Sequence, residues 1–270
     1  MSFPSRPLAF VLAASNHGTM IVNRNDYHRP APDRCFGVGY QILDKSNYDA
    51  EEINLALMML NFRRQYFGDG VVAVDGGANI GVHTVEWARH MWGWGEVTAF
   101  EAQEVIFYAL AGNVALNNCM NARARLAALG ESCGEIDVPR PDYFAPASFG
   151  SLELRQSADA PFIGQQIAYD AASCSKVPLV SVDSLGLDRL DLLKLDVEGM
   201  ELEVLRGARH MLERHRPIML IEAIRSDVPA LEEFVLDLGY DVYPAGINML
   251  AIHASDPSRG HVKPPKSTQK

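Results

Sequence analysis

Short apolar runs alternate with amphipathic stretches along most of this chain, from residue 49 to residue 253. Continuous apolar runs are typical of strands buried on both faces, whereas apolar positions that repeat every three or four residues indicate helices. The alternation predicts an α/β fold in which helices connect parallel strands. The predicted strands are residues 71–74, 96–100, 124–129, 191–196 and 217–221, and the predicted helices are residues 49–67, 82–91, 104–118, 200–215 and 227–238.

The pattern changes at both ends of the chain and once in its middle. Residues 1–46 carry short strand-like runs at 10–12, 20–22 and 38–40, which predict a small β-rich N-terminal cap. Residues 240–243 and 249–253 predict a final antiparallel pair of strands. The predicted organisation is a cap at 1–46, a main domain at 47–255 and a disordered basic tail at 256–270.

Residues 133–178 lack the simple helix that the alternation would predict. They carry short alternating pieces at 135–138 and 151–154, joined by proline-rich connections. An inserted β-hairpin that covers a site and a purely structural edge are both compatible with this pattern.

The composition narrows the class of protein. The chain has 270 residues and a net charge of −10, which argues against a general nucleic-acid binder because such a protein needs a basic face. No apolar run approaches a membrane span, and the polar residues and prolines around the first apolar patch argue against a signal peptide. Four cysteines without a C-x-x-C pair favour reduced thiols, so we expect a cytoplasmic protein, with a homo-oligomer possible.

The sequence VVAVDGGANIG at residues 71–81 combines a buried strand, an acid, a glycine-rich turn and the start of a helix. Glycines remove side chains where the chain turns and where a ligand would approach the backbone. The N-terminus of the following helix points its amides into the same space. A nucleotide-like ligand is therefore expected at Asp75, Gly76, Gly77, Ala78, Asn79 and Gly81.

The next strand ends at Glu101, about 20 residues after the glycines, as in a β-α-β unit whose acid accepts hydrogen bonds from ribose hydroxyls. Ala102 follows it, and Gly130 and Glu131 end the third strand, where an adenine would lie. The glycine spacing departs from G-x-G-x-x-G, and Asp75 would place a carboxylate beside a pyrophosphate. An acid there suits the cationic amino-acid end of S-adenosylmethionine, which we favour over NAD.

Three stretches also resemble one family. They are VDGGANIG at residues 74–81, AFE at 99–101 with GNVALN at 112–117, and LKLDVEGME at 193–201 with LRGA at 205–208. The chain resembles the FkbM-type S-adenosylmethionine-dependent methyltransferases over about residues 50–253. The resemblance implies a Rossmann-like class I fold, with a seven-stranded, mostly parallel sheet whose last strand is antiparallel. It also implies O-methylation of sugars, polyketides or other secondary metabolites. Ala102-Gln103, where many members have Pro-Asn, marks a subgroup.

In this fold the ends of the fourth and fifth strands face the methyl group. A hydroxyl acceptor must lose a proton to a base within hydrogen-bond reach. The candidates for catalysis are Asp196, Glu222, Lys194 and Glu198, and Asp196 also belongs to the predicted cofactor set. A buried ion pair that shapes the pocket is an equal alternative for Lys194 and Glu222. Asp196 and Glu222 could hold a divalent cation, but two carboxylates without fixed spacing are weak evidence, and no metal is predicted.

The predicted function is S-adenosylmethionine-dependent O-methylation of a hydroxyl on a small molecule or glycan, with neither nucleic acid nor membrane as a partner. DVEG stands at residues 196–199, where a methyltransferase acting on planar nitrogens would show N/D-P-P-Y/F. Two alternatives remain. One is a catalytically silent methyltransferase fold that serves as a scaffold, and the other is an NAD-dependent oxidoreductase.

Overall fold

The computed structural model describes residues 7–157 and 160–262. The strands are β1 (Phe10–Ser15), β2 (Gly18–Asn23), β3 (His28–Ala31), β4 (Arg34–Phe36), β5 (Val71–Gly76), β6 (Gly95–Glu101), β7 (Ala122–Leu126), β8 (Ala128–Leu129), β9 (Gly134–Pro139), β10 (Cys174–Val180), β11 (Leu192–Leu195), β12 (Ile218–Glu222), β13 (Tyr240–Ala245) and β14 (Asn248–His253). The helices are α1 (Val38–Lys45), α2 (Ala50–Phe67), α3 (Val82–His90), α4 (Glu104–Leu116), α5 (Glu201–Arg206), α6 (Arg209–His215) and α7 (Val228–Asp237).

A seven-stranded sheet forms the centre of the molecule, in the order β7-β6-β5-β11-β12-β14-β13. The strand β14 pairs antiparallel with both β12 and β13, and the other pairings in this sheet are parallel. The order and the single antiparallel strand confirm the predicted class I methyltransferase fold. Because the parallel strands all end at one edge, the side chains that follow β5, β6, β11 and β12 are brought together.

The sheet is buried on both faces, which explains its continuous apolar runs. Successive side chains point to opposite faces of a strand. Leu192 faces a cluster that includes Leu60 of α2 and Trp87 of α3. Leu193 faces a second cluster that includes Leu212 of α6 and Leu231 of α7. The helices therefore cover both faces and leave the strand ends free to form a site.

The N-terminal segment contains two β-hairpins, β1–β2 and β3–β4, and also the helix α1. The strand predicted at residues 38–40 is wrong, because these residues begin α1. Gly37 before them has φ 131°, and a Cβ on Gly39 would lie 2.3 Å from the carbonyl oxygen of Asn23. The helix thus starts where the backbone turns sharply against the β2 end. The division of the chain into a cap and a main domain stays a prediction.

Asn113 of α4 joins this N-terminal segment to the glycine loop. Its side chain accepts a hydrogen bond from the Ile21 amide, at 2.5 Å, and donates one to the Ile80 carbonyl, at 2.8 Å. Asn113 is fully buried, so both bonds are protected from water. The side chain of Asn113 therefore connects the hairpin β1–β2 to the loop after β5.

Three further predictions need correction. Residues 200–215 form two helices, α5 and α6, and not one, and the third predicted strand is divided into β7 and β8. Residues 135–138 lie in the strand β9, which pairs antiparallel with β10, but residues 149–151 form a 3-10 turn and residues 152–154 do not form a strand.

The C-terminal segment is ordered further than predicted. Asp256 is buried and forms an ion pair with Arg63. Pro257–His261 form a 3-10 turn, and the His261 ring stacks on Phe62 with 4.3 Å between centroids. The predicted disorder is therefore wrong for residues 256–262, and residues 263–270 lie outside the described residues. Among the helices that the structure describes, none is long and apolar enough to cross a membrane.

Candidate active site

A cavity of about 330 Å³ opens at the carboxyl ends of β5, β6, β11 and β12. Its lining includes nine of the residues predicted for the site: Gly77, Ala78, Asn79, Glu101, Ala102, Lys194, Asp196, Glu198 and Glu222. The candidates for cofactor binding and the candidates for catalysis thus line a single cavity.

Five predicted site residues do not line this cavity: Asp75, Gly76, Gly81, Gly130 and Glu131. Asp75 is fully buried, and its Oδ2 accepts a hydrogen bond from the Thr84 hydroxyl at 2.6 Å. Gly130 is packed against Gly207. A Cβ added to Gly207 would lie 2.3 Å from the Gly130 carbonyl oxygen. Ala127, Ala128 and Leu129 form the cavity wall beside it. Direct ligand contacts by the five residues stay predictions.

The glycine loop is shaped by two close approaches. Gly77 has φ 73°, and a Cβ there would lie 1.7 Å from the carbonyl oxygen of Asp196. A Cβ on Gly81 would lie 2.5 Å from the Leu110 side chain. Asn79 also has a positive φ, of 50°, and its side chain accepts a hydrogen bond from the Ile80 amide. The loop therefore passes directly under Asp196, the residue that follows β11.

Glu101 is buried in the cavity wall. Its two carboxylate oxygens accept hydrogen bonds from the backbone amides of Asn79, at 2.9 Å, and Gln103, at 2.8 Å. Burial raises the pKa of Glu101 to about 7, although these amides act in the opposite direction. Each oxygen keeps a further lone pair, so the carboxylate can accept hydrogen bonds from a ligand in the cavity.

Lys194 is the buried cation of the site. Its Nζ lies 3.2 Å from Asp196 Oδ2 and 3.9 Å from Asp75 Oδ1. Burial alone would lower the pKa of Lys194, but the carboxylates of Asp196, Asp75 and Glu52 raise it above its ordinary value. Lys194 therefore stays charged and links the strand ends of β5 and β11.

Three acids lie together beyond Lys194. One carboxylate oxygen each from Asp196, Glu198 and Glu222 lies within 4.8 Å of the others. Burial, followed by the charges of the neighbouring acids, raises the pKa of Glu198 to about 9 and that of Glu222 to about 8. These oxygens are ligands that a hard divalent cation could use, but Lys194 already supplies a positive charge to Asp196.

We expect Glu198→Gln to stabilise the ligand-free protein at high pH. The pKa of Glu198 is raised above its unfolded value, so its contribution to stability is full below about pH 4.5 and is lost as the pH rises to about 9. Glutamine keeps the shape and removes the charge. The variant should gain at least about 1 kcal/mol at pH 9, or roughly 2–4 °C in Tm.

Thermal unfolding between pH 5 and pH 9 measures this effect. Glu232→Gln, an exposed change on α7, serves as the control and should leave the pH profile unchanged. Equal loss of Tm with rising pH in Glu198→Gln and in the wild type would contradict the expectation.

Sequence reasoning missed a group of residues that supports the cavity from behind His83, which lines it. Glu52 Oε2 accepts a hydrogen bond from the Asn248 amide at 2.7 Å, and its Oε1 lies 3.2 Å from His83 Nε2. The contact with His83 and the charge of Lys194 overcome the effect of burial and lower the pKa of Glu52 to about 2. The spacing of Asp49 and Glu52 predicts a capping box, but the Asp49 side chain makes no cap hydrogen bond.

The N-terminal segment also contributes to the wall, through Phe36, Val38 and Tyr48. Tyr48 is positioned from the β1–β2 turn, because its amide donates to His17 Nε2 at 2.9 Å. His17 Nδ1 must then carry the proton that it shares with Glu86, at 2.9 Å. The 3-10 turn at Phe149–Ser151 supplies the remaining side of the cavity.

Comparisons with known proteins agree with this architecture. The methyltransferase FkbM domain family matches residues 75–242. The methyltransferase sdnD of Sordaria araneosa is 29% identical over 191 residues, which cover 63% of this chain and 73% of that protein.

Two solved structures are similar to the chain. The methyltransferase FkbM from Methylobacillus flagellatus KT has 19% identity and a TM-score of 0.47, with 79% of this chain and 58% of that chain covered. This chain therefore spans less than two thirds of that protein. The precorrin-6y C5,15-methyltransferase from Geobacter metallireducens GS-15 has 15% identity and a TM-score of 0.42, with 77% of this chain and 89% of that chain covered. Because the family match spans more than half of the sequence, the chain belongs to the methyltransferase FkbM domain family.

Proposed function

We propose that this protein transfers a methyl group from S-adenosylmethionine to a hydroxyl of a small molecule or glycan. One observation carries the proposal. A single cavity holds a buried, hydrogen-bond-accepting carboxylate, Glu101, beside the glycine loop, and the carboxylate cluster headed by Asp196. The end of the cavity at Glu101 suits a nucleoside, and the end at Asp196 suits an acceptor that must lose a proton.

The residues of the first end fit the methyl donor. Glu101 can accept hydrogen bonds from ribose hydroxyls, and the wall formed by Ala102 and residues 127–129 is apolar enough for an adenine ring. Gly77 and Ala78 line the cavity, so the loop backbone there is accessible to the amino-acid portion. When bound, the donor would supply a methyl group already activated by a positive sulfur, so positioning provides much of the rate.

Asp196 is the proposed base. It lines the cavity, and Lys194 holds its carboxylate at 3.2 Å. Glu198 and Glu222 have pKa values of about 9 and about 8, so at neutral pH both are largely protonated and suit hydrogen bonding to the acceptor better than proton removal.

Titration calorimetry with S-adenosylmethionine, S-adenosylhomocysteine and NAD, followed by a methyl-transfer screen over alcohols and sugars, tests the proposal. Binding of the methyl donor with turnover of at least one hydroxyl acceptor is the expected result. Binding without turnover of any acceptor would favour the scaffold alternative. Tight binding of NAD without binding of the methyl donor would favour an oxidoreductase.

Glu101→Gln should weaken S-adenosylmethionine binding by about tenfold or more. The amide offers one acceptor oxygen in place of two, and its NH₂ would face a backbone amide of Asn79 or Gln103. Because burial raises the pKa of Glu101 to about 7, wild-type affinity should increase from pH 6 to pH 8 as the carboxylate ionises.

Titration calorimetry across this pH range provides the measurement. The increase attributed to Glu101 should disappear in the glutamine variant and persist in Glu104→Gln, a change at an exposed position three residues further along the chain. Wild-type affinity in Glu101→Gln would mean that the donor does not lie at this end of the cavity.

A further inference from the structure

The mouth of the cavity carries exposed apolar side chains from three separate elements. Phe36 is 52% exposed, Ile224 is 52% exposed and Ile247 is 54% exposed, and all three line the cavity. The Ala223 amide donates to the Ile247 carbonyl oxygen at 3.3 Å, which places Ile224 and Ile247 side by side. Exposed apolar groups that converge on a cavity favour an apolar ligand.

The interior continues this apolar surface. Val38, Leu152 and Met200 are buried and line the cavity between its mouth and its acidic end. Three polar side chains that line the cavity, Gln103, Ser148 and Ser151, are bonded within the protein. Gln103 donates to the Phe149 carbonyl and accepts from the Tyr143 hydroxyl. Ser148 and Ser151 likewise bond to each other at 3.1 Å. These three side chains are therefore less available to the many hydroxyls of a sugar, and the apolar residues around them offer no hydrogen bond at all.

The described lining of the cavity has no unpaired lysine or arginine for an anion to bind. Glu101, Asp196, Glu198 and Glu222 line it, and Lys194 is the single lysine or arginine in the lining within the described part of the chain. Lys194 is already occupied by Asp75 and Asp196. A phosphate or carboxylate on the acceptor would lie near Asp196, whose partner Lys194 is already bound by two carboxylates. Arg225, beside the cavity, faces Glu198 at 3.9 Å.

We propose that the acceptor is an uncharged alcohol with an apolar body, which packs against Phe36, Ile224 and Ile247 and presents its hydroxyl to the acidic end of the cavity. The inference rests on the proposed function and selects one acceptor class from it. Sugars, phosphorylated acceptors and acceptors that carry a carboxylate are the excluded classes. The raised pKa values of Glu198 and Glu222 support it, because a neutral carboxyl can donate a hydrogen bond to a neutral oxygen.

Three small molecules test the inference on the full chain saturated with S-adenosylhomocysteine. They are 1-octanol, octanoate with the same chain length, and methyl glucoside, and binding is measured by saturation-transfer NMR and calorimetry at pH 8. We expect 1-octanol to bind, octanoate to bind about tenfold more weakly or worse, and methyl glucoside to bind more weakly than 1-octanol. Ile247→Ser and Ile224→Ser should each weaken 1-octanol binding by about fivefold.

Leu236→Ser is the matched control, because Leu236 is also 54% exposed but lies on α7 and does not line the cavity. It should leave 1-octanol binding unchanged. Equal or stronger binding of octanoate or methyl glucoside, or equal effects of Ile247→Ser and Leu236→Ser, would overturn the acceptor class. If 1-octanol fails to bind while S-adenosylhomocysteine binds, the acceptor class is overturned and the proposed function is not. Failure of S-adenosylhomocysteine to bind would instead overturn the proposed function, and the inference with it.

Discussion

Gly77→Ala is expected to weaken S-adenosylmethionine binding by about a hundredfold or more and to destabilise the fold by about 3 kcal/mol. The added Cβ would lie 1.7 Å from the Asp196 carbonyl oxygen, and the backbone at residue 77 has φ 73°. The methyl group can be accommodated only if the loop and the end of β11 move apart. Such a movement would displace the loop from the donor and Asp196 from the acceptor at once.

Gly93→Ala separates this clash from the cost of the backbone conformation. Gly93 has φ 82°, close to the value at Gly77, but a Cβ there would meet nothing within 4 Å. Its cost should therefore be limited to about 1–2 kcal/mol of stability, with donor affinity unchanged. Chemical unfolding and titration calorimetry measure the two quantities. Equal losses in both variants would show that the Asp196 contact does not matter.

Asp196→Asn is expected to lower turnover by about a hundredfold or more, while donor affinity changes by less than about threefold. The amide keeps the shape and can still accept a hydrogen bond from Lys194, which lies 3.2 Å away. It cannot accept the acceptor's proton. Single-turnover kinetics with a hydroxyl acceptor from the screen, alongside donor titration, separates the two effects.

Asp188→Asn supplies the control, since Asp188 is exposed and does not line the cavity. Glu222→Gln is expected to reduce turnover by a smaller factor, because Glu222 contacts the acceptor in the proposal without removing its proton. Wild-type turnover in both Asp196→Asn and Glu222→Gln would remove the two residues from the chemistry.

The two ends of the cavity were predictable because they depend on local patterns. Four of the parallel strands, β5, β6, β11 and β12, are short and largely apolar with an acid at or next to their ends, and the fold places such positions at one edge of the sheet. Glu101, Asp196 and Glu222 could therefore be assigned to one edge without knowledge of their partners. The seven-stranded arrangement followed from the resemblance and is confirmed.

The group formed by Glu52, His83 and Asn248 was not predictable from the same patterns. Glu52 and His83 lie on different helices, and Asn248 is 196 positions from Glu52 in the chain. Their meeting depends on how α2 and α3 pack against the sheet, and a single sequence does not encode that packing in any spacing. Val38 was missed for a related reason, because the strand predicted at residues 38–40 would have directed its side chain differently from a helix.

Asp75 illustrates a third kind of difficulty. Its position near the end of β5 predicts a contact with the ligand, which stays a prediction, and the strand register places it beside Lys194. Its side chain bonds to Thr84 and faces that lysine, beneath the cavity wall. Two acids that end neighbouring strands can therefore occupy different depths, and the direction of each depends on partners that lie far away in the chain.

The buried Asn113 has a consequence for engineering. One asparagine fastens the N-terminal hairpin, through Ile21, to the loop that follows β5, through Ile80. The same N-terminal segment supplies Phe36 and Tyr48 to the acceptor side of the cavity. In the proposed function, the binding of donor and acceptor would therefore both depend on the position of this asparagine. A cap exchanged with that of a relative would alter both together unless the asparagine and its two backbone partners were transplanted as a unit.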